Sequence, residues 1–268
     1  MVLLEVCCTG IESALNVLQE GAHRVELCSV LECGGLTPAW LSRLRERPSV
    51  ARLSEHPSVA RLSEHPSVAP CALPGAPASD AENRRIDLLS HAHVLIRCRP
   101  GDFCYSQAEV DEMCRSIRLC REARVKGVVI GALTPAGDPD LPALRKMIHV
   151  ATGQSDSLDT TDSEYVLTLV FHRAFDECRD PFAALEQIIS MGFHALLTSG
   201  QAPNAEQGIP MLKKLVEQAA NRIDIMAGKG VTVDNVARII RETGVPAVHL
   251  SEREGIFKLL RHIQNANS

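Results

Sequence analysis

The stretch at residues 3–28, LLEVCCTGIESALNVLQEGAHRVELC, contains a complete strand–helix–strand unit. Its two ends, residues 3–7 and 24–28, are short apolar runs of strand length. Residues 10–20 between them have the length and spacing of a helix, and Gly21 stands where such a helix should stop. The unit therefore predicts two adjacent parallel strands joined by a helix.

The same alternation continues along the rest of the chain. Six further apolar runs of strand length lie at residues 93–98, 127–131, 166–172, 195–198, 223–227 and 247–251. Segments with helical character lie at residues 38–47, 106–125, 138–150, 180–191, 204–220, 232–242 and 252–263. Eight strand–helix repeats in 268 residues predict the α/β class and one (β/α)8 TIM-type barrel domain over residues 1–268, with a doubly wound open sheet as the next candidate.

Two segments interrupt this rhythm. The nine residues PSVARLSEH at 48–56 are repeated at 57–65, and prolines nine residues apart forbid one continuous helix. More proline, glycine and serine follow, so we expect a flexible insertion on the barrel surface at about residues 48–90. Residues 152–163 are rich in serine, threonine and aspartate and have no apolar period, so we expect a second surface loop there.

The composition narrows the possible functions. A formal net charge of −5 gives no electrostatic footprint for nucleic acid, and six Phe, two Tyr and one Trp are too few for a base-stacking platform. The amino terminus lacks the apolar core of a signal peptide, and no run reaches the ~18 apolar residues of a membrane helix. We therefore expect an intracellular protein with no nucleic-acid and no membrane partner, whose ten cysteines are free thiols, metal ligands or core residues.

The first two predicted strands both end in the pattern Glu-x-Cys, with Glu5 and Cys7 on one and Glu26 and Cys28 on the other. Because side chains alternate along a strand, each glutamate points the same way as its cysteine, and adjacent parallel strands set the pairs side by side. Soft thiolates select Cu(I) or Zn(II), and a two-sulfur site without a cluster of histidines suits Cu(I). Cys33, five residues further on, is either a third sulfur ligand or an exposed thiol.

A second hypothesis is an enzyme acting on a small anionic or phosphorylated metabolite. Arg97 lies on the predicted third strand and His172 ends the predicted fifth, and they either complete a buried ion-pair layer with the glutamates or contact substrate. In an enzyme, histidine or glutamate would transfer protons and the arginines would clamp the anion. The candidate catalytic residues are Glu5, Glu26, Arg97, His172, Arg173 and Asp176. A candidate anion site at the ends of the last two strands comprises Gly228, Gly230 and Ser251.

Short blocks of sequence stand in register with the predicted strands. They are LEVC at 4–7, RVELCS at 24–29, GGLTP at 34–38, GALT at 131–134, FHRAFD at 171–176 and LTSG at 197–200. In these blocks, of which FHRAFD is the most specific, the chain resembles the CutC copper homeostasis proteins.

The resemblance implies a TIM-type barrel, a role in copper handling, and homo-oligomers such as a dimer or a tetramer. It implies a location in the cytoplasm, extending to the nucleus, and no established reaction. In the eukaryotic branch of the family, Cu(I) is associated with cysteines at the ends of the first two strands, which correspond to Cys7 and Cys28 here. The first hypothesis is therefore intracellular copper buffering or trafficking by cysteine thiolates, and the alternatives are the enzyme above and a scaffold for oligomer contacts.

Overall fold

The computed structural model of this protein describes residues 2–42, 78–153 and 165–251. The strands are β1 (Leu3–Cys8), β2 (Arg24–Leu27), β3 (Ala92–Leu95), β4 (Gly127–Ile130), β5 (Thr168–Phe171), β6 (Ala195–Thr198), β7 (Asp224–Ala227) and β8 (Ala247–Ser251). Each strand pairs in parallel with the next one, and β8 pairs with β1, which closes the sheet into a barrel. The predicted (β/α)8 barrel is confirmed, and an open sheet is excluded.

Helices alternate with these strands. They are α1 (Ile11–Gln19), α2 (Ala78–His91), α3 (Gln107–Ala123), α4 (Leu141–Thr152), α5 (Pro181–Ser190), α6 (Ile209–Ala219) and α7 (Val233–Thr243). Local sequence sets several of their ends: Ser106 and Glu109 form a reciprocal capping box at the start of α3, and the carboxylate of Asp180 caps α5. None of the helices in the described ranges combines the length and the apolar character needed to cross a bilayer.

The insertion expected at about residues 48–90 needs one correction, because its last part is helix α2. Leu88 and Leu89 of this helix are buried, and the carbonyl of Leu89 accepts a hydrogen bond from the backbone of Lys126. An apolar pair that packs on the barrel therefore orders the segment just before β3. The duplicated nonapeptide, most of segment 152–163, the end of the predicted helix at 38–47 and the predicted helix at 252–263 lie outside the described residues.

The barrel interior has an apolar side and a polar side. Strands β3 to β8 contribute a buried apolar cluster that includes Leu95, Val129, Val170, Leu197 and Met226. Alternate positions of β1 and β2, with neighbouring positions on β3 and β8, contribute the buried or largely buried polar side chains of Glu5, Glu26, His93 and His249. The remaining alternate positions pack under the helices. The polar side of the interior is where a functional site can be built.

Candidate functional site

Two thiols and one carboxylate meet at the ends of β1 and β2. The strand register pairs Cys7 with Glu26, and Cys28 directly follows β2, two residues after Glu26. The two sulfur atoms and a Glu26 oxygen all lie within 4.8 Å of one another, and all three residues are buried. The thiol of Cys7 donates to Oε1 of Glu26 at 3.4 Å. The structure thus brings together the thiols that the alternation of side chains predicts to lie side by side.

The protonation state of this group follows from its surroundings. The hydrogen bond with Cys28, the burial of the sulfur and the negative charge of Glu26 all raise the pKa of Cys7 well above its ordinary value. Cys7 is therefore a neutral thiol until a cation arrives. A cation that binds here must displace that proton.

Glu5 lies one step deeper in the barrel and is held by two cations or potential cations. Oε2 of its carboxylate lies 3.0 Å from Nε of Arg24 and 2.9 Å from Nδ1 of His93. Burial disfavours its charge, but His93 and Arg24 outweigh burial and lower the pKa of Glu5 to about 2. Glu5 is therefore ionised, and its contacts are those of a buried ion pair.

His249 on β8 links the two glutamates. Its Nε2 lies 3.4 Å from Oε2 of Glu26 and 3.9 Å from Oε1 of Glu5, and the three atoms form a second group within 4.8 Å. Burial disfavours the imidazolium, but the charges of Glu26 and Glu5 outweigh it and raise the pKa of His249. Neither His249 nor His93 was among the predicted site residues. The sequence could have indicated both histidines, because they occupy the alternating strand positions whose side chains point to the barrel interior.

A model of the protein family described as the CutC family matches residues 2–58 and 85–254. This chain belongs to the CutC family. Proteins called family protein CutC from Bacteroides thetaiotaomicron and Bacteroides fragilis are 39% and 37% identical to it over 254 residues, covering 94% and 95% of this chain and 81% of each relative. A solved structure from Streptococcus agalactiae, provisionally described as a copper homeostasis protein CutC, has a TM-score of 0.70 and 27% identity, and covers 94% of this chain and 99% of that one.

In this CutC chain, Arg97 does not complete the ion-pair layer with the glutamates. Its Nη1 donates to the carbonyls of Cys33 and Gly35 at 2.8 and 3.2 Å, and its Nη2 donates to the carbonyl of Gly101 at 2.7 Å. Its guanidinium also stacks on Phe103, 4.7 Å from the ring centroid. The expected pairing fails because Arg97 lies beyond the end of β3, above the level of Glu5, where Arg24 and His93 take that role.

His172 follows β5 and is fixed as a neutral imidazole. Its Nδ1 accepts a hydrogen bond from the backbone of Ala174 at 3.1 Å, so its proton is on Nε2. Burial, with a smaller contribution from the charge of Arg97, lowers the pKa of His172 to about 3. Near neutral pH His172 is therefore a hydrogen-bond donor through Nε2.

We predict that His172→Asn flattens the pH dependence of stability. In wild type the folded pKa lies far below the ordinary 6.5, so the unfolded chain takes up the proton first. The neutral ring of His172 therefore adds to the free energy of unfolding. This stabilisation is complete above about pH 6.5 and decreases as the pH falls toward 3, by about 1.4 kcal/mol per pH unit between pH 6 and pH 4. The shorter amide side chain keeps an acceptor for the Ala174 backbone but does not titrate. Denaturant unfolding at pH 7, 6, 5 and 4 measures the free energy of unfolding of wild type and of His172→Asn. If this free energy changes with pH equally in the two proteins, the description of His172 is contradicted.

Arg173 and Asp176, two further candidate catalytic residues, contact each other and the neighbouring loop. Arg173 pairs with Asp176 at 3.0 Å, and the carboxylate of Asp176 also accepts from the hydroxyls of Thr198 and Ser199. The backbones of Ser199 and Gln201 donate to the same carboxylate. Asp176 therefore fixes the loop after β6 against the segment after β5, and Arg173 is neutralised by it.

The turn after β7 is shaped by close packing. Gly228 donates its backbone N–H to the carbonyl of Thr198, and a Cβ at this position would lie 2.5 Å from Leu197. Gly230 has a φ of +73° and makes the turn before α7. Ser251 is exposed at the end of β8, in register with Cys7. The N–H of Gly228 is thus already used within the barrel.

Cys33 stands apart from the thiol pair. It is half-buried, its thiol donates to the carbonyl of Val30 at 3.2 Å, and its sulfur is outside the group formed with Cys7 and Cys28. The third ligand atom that the structure places beside the two sulfurs is an oxygen of Glu26.

Proposed function

We propose that this CutC protein binds Cu(I) through the thiolates of Cys7 and Cys28 and serves intracellular copper buffering or trafficking. The observation that supports this most is the convergence of both sulfurs and a Glu26 oxygen within 4.8 Å at a buried barrel end. Family membership adds support, because the related Streptococcus agalactiae protein is itself described in terms of copper homeostasis.

The donor set fits Cu(I). Two soft sulfurs dominate it, and soft donors favour Cu(I) over harder divalent ions. The group in the described residues offers three ligand atoms, one fewer than the four that structural zinc sites take. Burial limits the access of bulk water to the sulfurs. Cu(I) here would be the cargo of the protein, held until a partner or a chelator removes it.

A competition titration tests the proposal. Reduced protein is titrated anaerobically with Cu(I) in the presence of a colorimetric Cu(I) chelator. We expect one Cu(I) per chain to be withdrawn from the chelator, with no comparable retention of Zn(II). Failure to compete with the chelator at any protein concentration, or tighter binding of Zn(II), would contradict the proposal.

The quaternary state and location belong to the same proposal. We propose a homo-oligomer, a dimer or a tetramer, in the cytoplasm and the nucleus, on the basis of the family resemblance. Sedimentation velocity measures the first, and imaging of the tagged protein measures the second. A monomer at cellular concentration, or confinement to another compartment, would contradict these statements.

A further inference from the structure

We infer that Arg97 and His172 form a binding site for a small oxyanion, a carboxylate or a phosphate group, at the carboxyl end of the barrel. This site uses neither of the thiols, so it goes beyond copper binding and does not depend on it. The inference rests on a buried charge that has no counterion among the described residues, and on two buried N–H groups that have no acceptor there.

The charge of Arg97 is not neutralised by the described part of the chain. The residue is only 5% exposed, and its guanidinium donates three hydrogen bonds to backbone carbonyls and also interacts with the hydroxyl of Tyr105, groups that carry no net charge. No carboxylate of the described residues pairs with it, whereas the less buried Arg24 has Glu5 as its partner. A buried cation without a counterion is costly, and proteins generally pair such groups.

Two of the buried donors that lack a hydrogen-bond partner in the described ranges belong to this pair of residues. They are Nε of Arg97 and Nε2 of His172, and both atoms are fully buried. Because Nδ1 of His172 is already an acceptor for Ala174, Nε2 must carry the proton and can only donate. Buried donors without an acceptor are rare in folded proteins, so each one requires an explanation.

The two residues stand on either side of a glycine and contact the same aromatic ring. They follow β3 and β5, and Gly131 follows the strand between them. An added Cβ at Gly131 would lie 2.6 Å from the His172 ring, which therefore rests on this position. The Phe103 ring contacts both, with its centroid 4.7 Å from the Arg97 guanidinium carbon and 5.0 Å from the His172 ring centroid.

The chemistry of the pair defines the ligand class. One fixed positive charge and two N–H donors attract an oxyanion and repel a metal cation. Arginine is the side chain best suited to carboxylate and phosphate oxygens, and a neutral histidine adds a directed donor. Arg173 and Gly228, the other groups considered for anion binding, are occupied by Asp176 and Thr198.

The test uses the whole protein without copper and two probes, inorganic phosphate and acetate, at constant ionic strength in chloride. We expect saturable binding of one or both by calorimetry, and the comparison tells a phosphate site from a carboxylate site. In the His172→Asn variant, which keeps the acceptor for Ala174 but lacks Nε2–H, affinity should fall about 10-fold or more. Arg97→Gln should have at least that effect. Arg179→Gln, at an exposed arginine paired with Asp138, is the matched control and should bind as wild type does.

A second measurement applies even if Arg97→Gln does not fold. Long-range 15N spectra of wild-type histidine rings should show the Nε2–H of His172 shifting with phosphate or acetate but not with chloride, and the assignment comes from His172→Asn. The Cys7→Ser, Cys28→Ser double variant should bind the anion unchanged, which separates this site from the copper proposal. No saturable binding of either probe to wild type, or equal affinity in wild type and His172→Asn, would overturn the inference.

Discussion

The double variant Cys7→Ser, Cys28→Ser is expected to lose tight Cu(I) binding, with an affinity at least about 100-fold below that of wild type. Loss of residues that only support metal ligands already costs 10- to 100-fold in known sites, so loss of both sulfur ligands must cost more. Serine is nearly the same size as cysteine, and its hydroxyl can donate to Glu26 in place of the Cys7 thiol. The barrel should therefore remain folded while the soft donors disappear.

The matched control for this variant is Cys104→Ser. Cys104 is half-buried in the loop after β3 and is not part of the thiol group. We expect it to compete with the colorimetric chelator as wild type does, and circular dichroism should show that all three proteins are folded. A double variant that withdraws Cu(I) from the chelator as effectively as Cys104→Ser would refute the assignment of Cys7 and Cys28.

A Glu5→Gln variant is expected to be less stable than wild type by about 3 kcal/mol, because it leaves buried positive charge without its partner. Glu5 is fully buried and holds both Arg24 and His93. Glutamine preserves the shape of the side chain, so the loss of stability results from the removed charge and not from a cavity. For a chain of this size the change corresponds to a fall of roughly 10 °C in melting temperature.

Thermal unfolding at pH 7 measures this effect, with Glu12→Gln as the control. Glu12 is exposed on α1, and removal of its charge should change the melting temperature by little. If Glu5→Gln and Glu12→Gln have the same melting temperature, then Glu5 does not stabilise the barrel interior, and its role would have to be sought in binding instead.

The barrel and the thiol pair could both be predicted because they depend on periodicity. Alternation of strand-length and helix-length segments fixes a closed parallel sheet, and a period of two along a strand fixes which face a side chain takes. The register places Cys7 opposite Glu26, two residues before Cys28, but both cysteines take the interior face, and that alone was enough to bring their sulfurs within 4.8 Å.

The pairing of charges could not be predicted from the same information. Strands in a barrel are staggered, so residues on one face differ in height, and height depends on the register between strands. Arg97 has the correct face to meet Glu5 but lies above it, whereas Arg24 and His93 lie at its level. Asp176 could not be placed either, because its partners come from the loop after the neighbouring strand.

Copper K-edge X-ray absorption of the reduced, Cu(I)-loaded protein tests the central assignment most directly. We predict a Cu(I) edge with two sulfur neighbours per copper, supplied by Cys7 and Cys28, and loss of both neighbours in the double serine variant. Copper surrounded only by nitrogen and oxygen in wild type, or sulfur neighbours that persist in the double variant, would contradict the assignment.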